Sequence, residues 1–428
     1  MNLPVTLPQR EVRRSFALGV FNGVAFQFAE QLIDPALILT WFVSQLTASN
    51  LLVGLVAPLA NAGWMLPQIF VSARVQRMQR KMPSYRLAAA IRALCWMLLA
   101  ATLWWVDDPR LLLLSFFTLY AIARLSAGLG GLAFLDVVAK TIPARQRGGF
   151  FAWRQLLGGL LGLAAAWITT LILGHPALAF PRGHALLIAF YCVITLPAML
   201  AFIMIHEPPG LIVAEPVTPR QQLRRAGQRL QSNPVFRRYI AVQLTLALAS
   251  VAVPFYGVYA KNVLDAPVGI VGIYMAVRIG AQLLFTLPWG RLSDRRGNHL
   301  LLRAQILGRG GTALLALALV GLVGLLRLQG GWLPYLVLPL FFLDGAVLPT
   351  LALTGSNFLL ELVPDAERPL YLGLANTLIG VTILLSGLVG GLVVDLVGFG
   401  GLFLLTFVLC LLAFGLTARL PEPRRAGG

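Results

Sequence analysis

Negative charge is what this sequence has least of. Asp and Glu together number 16 in 428 residues, against 34 Lys and Arg, and charged residues of both signs make up only 12% of the chain. A soluble domain carries roughly 25% charged residues, so the composition argues against a cytosolic globular protein. Cysteine is scarce as well. Cys95, Cys192 and Cys410 are odd in number and each lies in an apolar stretch, which excludes a disulfide framework and any metal-ligand spacing. The four histidines, His175, His184, His206 and His299, are scattered in or beside connecting segments and form no metal cluster. No Gly-x-x-x-x-Gly-Lys phosphate loop and no nucleophile elbow occur. The residues therefore point to no cofactor, no metal, no direct use of ATP and no enzyme.

What is abundant is apolar: 58% of the chain is hydrophobic. A bilayer-spanning helix needs about 20 such residues, and hydropathy predicts twelve spans, near residues 16 to 43, 50 to 73, 85 to 106, 111 to 138, 149 to 174, 184 to 205, 238 to 261, 267 to 289, 301 to 326, 332 to 360, 370 to 394 and 399 to 418. The fold class expected is an all-α integral membrane protein. The polar start with Arg10, Arg13 and Arg14 is followed by no small-residue cleavage pattern, so the first run reads as a retained span. Placing both termini in the cytoplasm leaves only Arg110, Arg182, Lys261 and Arg327 on the opposite side, a strong positive-inside bias. The net charge of +18 then reports topology and contact with anionic membrane lipids, and no nucleic-acid partner is expected. Arg far outnumbers Lys, a compositional hint of a bacterial source, so the bacterial inner membrane is the expected location.

The chain divides in two. Residues 1–15 read as an N-terminal tail, 16–205 as one six-helix bundle, 206–237 as a cytoplasmic linker, 238–418 as a second bundle and 419–428 as a tail. Within the linker, Thr218, Pro219 and Gln221 make a helix start, and Leu223 and Leu230 share a face of a basic amphipathic helix. The bundles carry an internal repeat. The segment Ile142-Pro143-Ala144-Arg145-Gln146-Arg147 recurs as Val363-Pro364-Asp365-Ala366-Glu367-Arg368, an offset of 221 that also sets Gly159 opposite Gly380 and Arg124 opposite Gly345.

The most specific local signal is Gly290-Arg291-Leu292-Ser293-Asp294-Arg295-Arg296-Gly297-Asn298-His299, between spans eight and nine. Glycines here permit a tight turn, and the acid and bases make charge-assisted contacts between helix ends. The motif resembles the Gly-x-Leu-x-Asp-Arg-x-Gly loop of the major facilitator superfamily. Its first-half counterpart, residues 73–80, keeps the basic character but lacks the acid and the glycines. Arg124-Leu125-Ser126-Ala127-Gly128-Leu129-Gly130 is similar to that family's Arg-x-x-x-Gly-x-Gly pattern in the fourth helix, and the glycines of span eleven, Gly387, Gly390 and Gly391, also look like the family. The Gly-Pro pair of drug:proton antiporters is missing from span five, where the sequence has Gly162-Leu163-Ala164-Ala165.

The resemblance implies two six-helix bundles related by a pseudo-twofold axis, a monomer, a small-molecule substrate and alternating access. It implies that Gly290, Asp294, Arg295 and Gly297 govern a gate, and that spans one, four, seven and ten line the cavity. Proton-coupled efflux of an amphipathic or hydrophobic compound is the leading mode, an importer or uniporter the alternative on the same fold, and a non-transporting sensor or partner-binding subunit a third.

Intramembrane charge is costly and marks candidate sites. In span one, Gln27, Glu30, Gln31 and Asp34 share a helical face. Glu30, Asp34 and Arg124 are the proton-coupling candidates, with a fixed salt bridge between spans one and four as the alternative. Counting at about 1.5 Å per residue sets Glu30 and Arg124 about 10 Å apart in depth. Asn22, Gln27, Gln31, Tyr256, Tyr259, Arg278, Asp344 and Asn357 are cavity candidates. Asp344 and Arg278 either pair or contact substrate separately.

Overall fold

The computed structural model of the chain describes residues 8–67, 78–210, 221, 227–228, 230–363, 368–418 and 420. All regular structure among them is helical. Ten helical stretches are long and apolar enough to cross a membrane, and Asn50–Met65 is a shorter apolar helix. The last stretch, Tyr371–Thr417, is 47 residues long. At about 1.5 Å per residue it would measure about 70 Å, more than twice a hydrocarbon core. It is divided at Gly398, whose φ of 74° is in the region that favours glycine. With that division, and with the shorter Asn50–Met65 helix included, the described residues carry an apolar helix at each of the twelve expected spans.

Span starts are written locally. Asp108 caps span four, its carboxylate accepting from the N–H groups of Arg110 at 2.8 Å and Leu111 at 2.9 Å, with Pro109 at the first position. Asn233 caps span seven in the same way, accepting from Phe236 N–H at 3.0 Å. Span three, Met82–Trp105, borrows its cap from the segment after span six. The buried Glu207 carboxylate accepts from the N–H groups of Lys81 and Met82, each at 2.7 Å, and from Lys140 Nζ at 2.8 Å. A carboxylate at a helix N-terminus also meets the positive end of the dipole. Burial lowers the Lys81 ammonium from its ordinary pKa, as does the neighbouring Lys140, while Asp136 and Glu207 oppose the shift.

Large apolar side chains lie on the outside of the helices. Leu325, Leu396 and Trp105 are more than three-quarters exposed. Each would gain about 1.5–3 kcal/mol by leaving water, which a lipid environment supplies.

Several boundaries differ from the sequence expectation. Span one begins at Gln9 rather than 16 and is not one regular helix. Its α-helix ends at Leu32, a π-helical segment runs Pro35–Leu39, and α-helix resumes at Thr40–Leu46. Pro35 has no N–H to donate and cannot continue the regular ladder. Span eight, Val271–Arg296, extends past 289, so the Gly290–Arg296 motif is helical and the turn falls on Gly297, with φ 82°. A Cβ at Gly290 would meet nothing; only Gly297 performs the expected turn. Span ten also changes winding, with a π-helical segment at Leu353–Asn357. Carbonyls there are taken up by span seven: Gln243 Nε2 donates to Thr354 O at 2.9 Å and Tyr239 Oη to Gly355 O at 2.7 Å. The linker helix expected over 218–230 and the loop residues 73–77 lie for the most part outside the described residues.

Two compact units result. One contains Met1–Asp34 and Gly63–Pro219, the other Pro35–Ala62 and Arg220–Gly428. The split near 219 falls in the expected linker, but Pro35–Ala62 groups with the second unit instead of with the first bundle. The π-helical segment begins at that boundary. In the second unit, Lys261 Nζ donates to Ser44 Oγ at 3.0 Å and Asn50 Nδ2 to Asp395 Oδ1 at 2.7 Å.

Candidate functional site: a carboxylate between two arginines

In the first unit, three spans converge on Glu30 of span one. Arg124 of span four donates from Nη1 to Glu30 Oε2 at 2.9 Å. Arg92 of span three pairs with Glu30 Oε1 through Nη2. Tyr191 of span six donates to the same Oε1 at 3.3 Å and accepts from Arg92 Nε at 2.9 Å and Nη2 at 2.6 Å. The two cations also lie against rings, Arg92 over Phe26 at 4.8 Å and Arg124 over Tyr120 at 5.2 Å and Trp96 at 5.7 Å. Guanidinium over an aromatic face is a favourable contact that spends no N–H.

Not every donor of the two arginines is used. Arg124 is buried, and its Nε and Nη2 have no hydrogen-bond partner among the described residues. Glu30 is the more open member, with 29% of its side chain exposed against 15% and 10% for the two arginines. Two cations face one anion, and the triad carries a surplus positive charge.

The depth count left Glu30 and Arg124 about 10 Å apart, and the structure brings them into contact. Span four is 33 residues long, about 50 Å at helical rise. That exceeds the core thickness, so counting from its ends does not fix depth, and the long guanidinium arm covers the remainder. Asp34 sits at the helix break before Pro35, within electrostatic reach of Tyr120.

Two other span-one candidates bond to neighbouring spans. Asn22 donates to Ala198 O at 2.9 Å and to Tyr85 Oη at 3.4 Å, and Gln27 donates to Gln155 Oε1 at 2.6 Å. Glycines let spans one and five touch: a Cβ at Gly23 would lie 2.2 Å from Arg154 Nε, and one at Gly158 2.5 Å from Gln27 Cβ. Arg154 donates to Gly19 O at 2.7 Å and lies between the Phe134 and Phe150 rings. Gln31 is half-buried on the same helix.

In the second unit, Arg278 Nε donates to Asp344 Oδ2 at 2.8 Å, with side chains 14% and 10% exposed. Gly345 makes this possible. A Cβ there would come within 2.1 Å of the Arg278 carbonyl oxygen, so the backbones of spans eight and ten meet beside the pair. Tyr256 and Tyr259 are fully buried against Phe403, and Tyr259 also against Phe399. Asn357 ends the π-helical segment of span ten. At the Gly290 motif, Ser293 Oγ donates to Asn298 Oδ1 at 2.7 Å, Asn298 Nδ2 to Glu361 Oε1 at 3.1 Å, and His299 Nε2 bonds Thr417 O at 3.0 Å. Asp294 and Arg295 are exposed on the last helical turn.

Sequence reasoning missed Arg92, Tyr191, Arg154 and Glu207. An arginine well inside an apolar run, as at 92 and 154, was the available signal. Nothing in the local pattern marks Tyr191 or Glu207.

The fold, as a class, is that of solved multi-span membrane transporters. The chain aligns with a D-xylose-proton symporter at a TM-score of 0.73 and 16% identity, covering 96% of this chain and 99% of that one. A mutant of the nucleoside transporter NupG gives 0.71 at 14% identity, with 95% and 99% covered. The xylose transporter XylE from E. coli, partially occluded and inward open, gives 0.68 at 16%, with 97% and 99% covered. No curated protein matches the chain in sequence. Residues 239–428 match the family model described as Major Facilitator Superfamily. The C-terminal part of the chain is thus similar to that family, and over its whole length the chain has the fold of these solved transporters.

Proposed function

We propose that the chain is a secondary active transporter that moves a small molecule by alternating access and couples it to a proton at Glu30. The observation that carries this reading is the bracketing of one accessible carboxylate by Arg92 and Arg124, which reach it from different spans. A change of charge at Glu30 alters the attraction between spans one, three and four together, and that is how proton binding biases a two-state bundle. Asp344 and Arg278 act in the second unit as a neutral pair that holds spans eight and ten. The Asp294 motif acts at the gate through the helix corner at Gly297. The protein works as a monomer in the bacterial inner membrane with both termini cytoplasmic.

Reconstitution into liposomes with an imposed pH gradient tests the proposal. Glu30→Gln is expected to lower proton-driven flux at least about tenfold while counterflow exchange continues. Undiminished proton-driven flux in that variant would remove Glu30 from the mechanism. Absence of any flux in the wild type would leave a sensor or partner-binding role. Export of an amphipathic or hydrophobic compound is the mode expected from the sequence, and uptake is the alternative. The sign of the pH gradient that drives accumulation separates them.

A further inference from the structure

The surplus positive charge of the first-unit triad says what kind of substrate the site takes. A buried cation without a counter-charge is expensive, and here one carboxylate serves two guanidinium groups. The buried Nε and Nη2 of Arg124 have spent no hydrogen bond. Those two atoms form the edge of a guanidinium that meets a carboxylate with two parallel N–H···O contacts. The rings of Trp96 and Tyr120 lie against Arg124, and those of Phe26 and Tyr191 against Arg92. A cationic substrate would meet like charge at this place, and a neutral one would leave the free guanidinium edge of Arg124 without an anionic partner.

We propose that the substrate is an organic anion, a monocarboxylate with an apolar or aromatic body, whose carboxylate docks on Arg92 and Arg124 when a proton occupies Glu30. This rests on the transport reading above and names the substrate class of the same site. The proton cancels the negative charge of Glu30, and the incoming carboxylate restores one negative charge to the same two guanidinium groups. The loaded site therefore carries the charge of the empty one. One proton accompanies one anion, the two bind cooperatively, and an inward proton gradient drives uptake. The charged and titratable groups facing Glu30 are Arg92 from span three, Arg124 and Tyr120 from span four, and Tyr191 from span six, while Asp34, beyond the end of the Glu30 helix, lies within electrostatic reach of Tyr120. Arg154 of span five turns instead to Gly19 O and Asn22.

The test uses the purified full chain and two isosteric probe sets: benzoate, benzamide and benzylamine, and indole-3-acetate, indole-3-acetamide and tryptamine. Each probe is added at about 10 mM, and a binder raises the thermal midpoint by mass action. At least one carboxylate is expected to raise the midpoint, more at about pH 5.5 than at about pH 8, with its amide and amine inactive. Arg124→Gln is expected to abolish the shift. Glu30→Gln, which removes the competing carboxylate, is expected to tighten carboxylate binding about tenfold and to erase its pH dependence. This gain is not the result of a folding defect, so it covers the case in which Arg124→Gln is unstable. Stabilisation by amines or amides alone, no shift with either carboxylate, or weaker carboxylate binding in Glu30→Gln would each overturn the proposal. In liposomes, proton-driven flux confined to neutral or cationic compounds would also overturn it while leaving transport standing. Carboxylate binding with the expected signature but no flux would support the anion site and refute transport.

Discussion

Each unit buries an ion pair between spans, and the two are built on different ratios. In the second unit Asp344 has Arg278, one charge for one, with Gly345 bringing the helix backbones together beside it. In the first unit Glu30 has both Arg92 and Arg124, and the acid is the most exposed of the three. A matched pair with both partners mostly buried suits a fixed strut. An unmatched triad with an accessible acid is suited to exchange. The two charged sites thus differ in kind, and the ratio of charges distinguishes them.

Stability measurements can break this contrast. Arg278→Met leaves Asp344 buried without its counter-charge and is expected to cost about 3–5 kcal/mol, read as a large drop in thermal midpoint in detergent. Arg92→Met should behave differently, since Glu30 keeps Arg124 and the remaining pair is neutral. A loss under about 1.5 kcal/mol is expected, and equal losses in the two variants would erase the distinction. Replacing both Arg278 and Asp344 with leucine should recover most of the Arg278→Met loss, because a strut can be exchanged for apolar packing. Gly345→Ala tests the same site through the backbone. Its methyl group cannot fit 2.1 Å from the Arg278 carbonyl oxygen, and overpacking is expected to cost about 1–3 kcal/mol, seen as a lowered midpoint with Arg278 displaced. The smallest effect is expected from Glu207→Gln, which keeps a hydrogen-bonding cap on span three but loses the charge facing Lys140. A midpoint change worth about 1 kcal/mol is expected, with the triad's ligand response unchanged.

Much of this architecture was legible in the residues because lipid imposes a simple rule: long apolar runs become helices. The apolar helices and the two acids within them, Glu30 and Asp344, follow from runs and from charges inside those runs. The partners were less legible. Asp344 and Arg278 pair as one of two readings held, and Glu30 meets Arg124 although a count along straight helices set them apart. Arg92 and Tyr191 complete the triad's surroundings from spans three and six, at separations of 62 and 161 residues from Glu30. No local periodicity records contacts of that range. The motif from Gly290 to Gly297 reads as a turn from its glycines, yet apolar and charged residues on either side keep it helical up to Gly297. The π-helical segments of spans one and ten also escape hydropathy, which sees the same apolar composition whatever the winding.

The most direct test of the triad as the coupling site is a simultaneous record of proton and substrate movement in liposomes, for the wild type and for Glu30→Gln. One proton is expected to move with each substrate molecule in the wild type, and the proton movement is expected to vanish in the variant while substrate exchange continues. Proton movement at the same ratio in Glu30→Gln would contradict the assignment and place the coupling elsewhere in the chain.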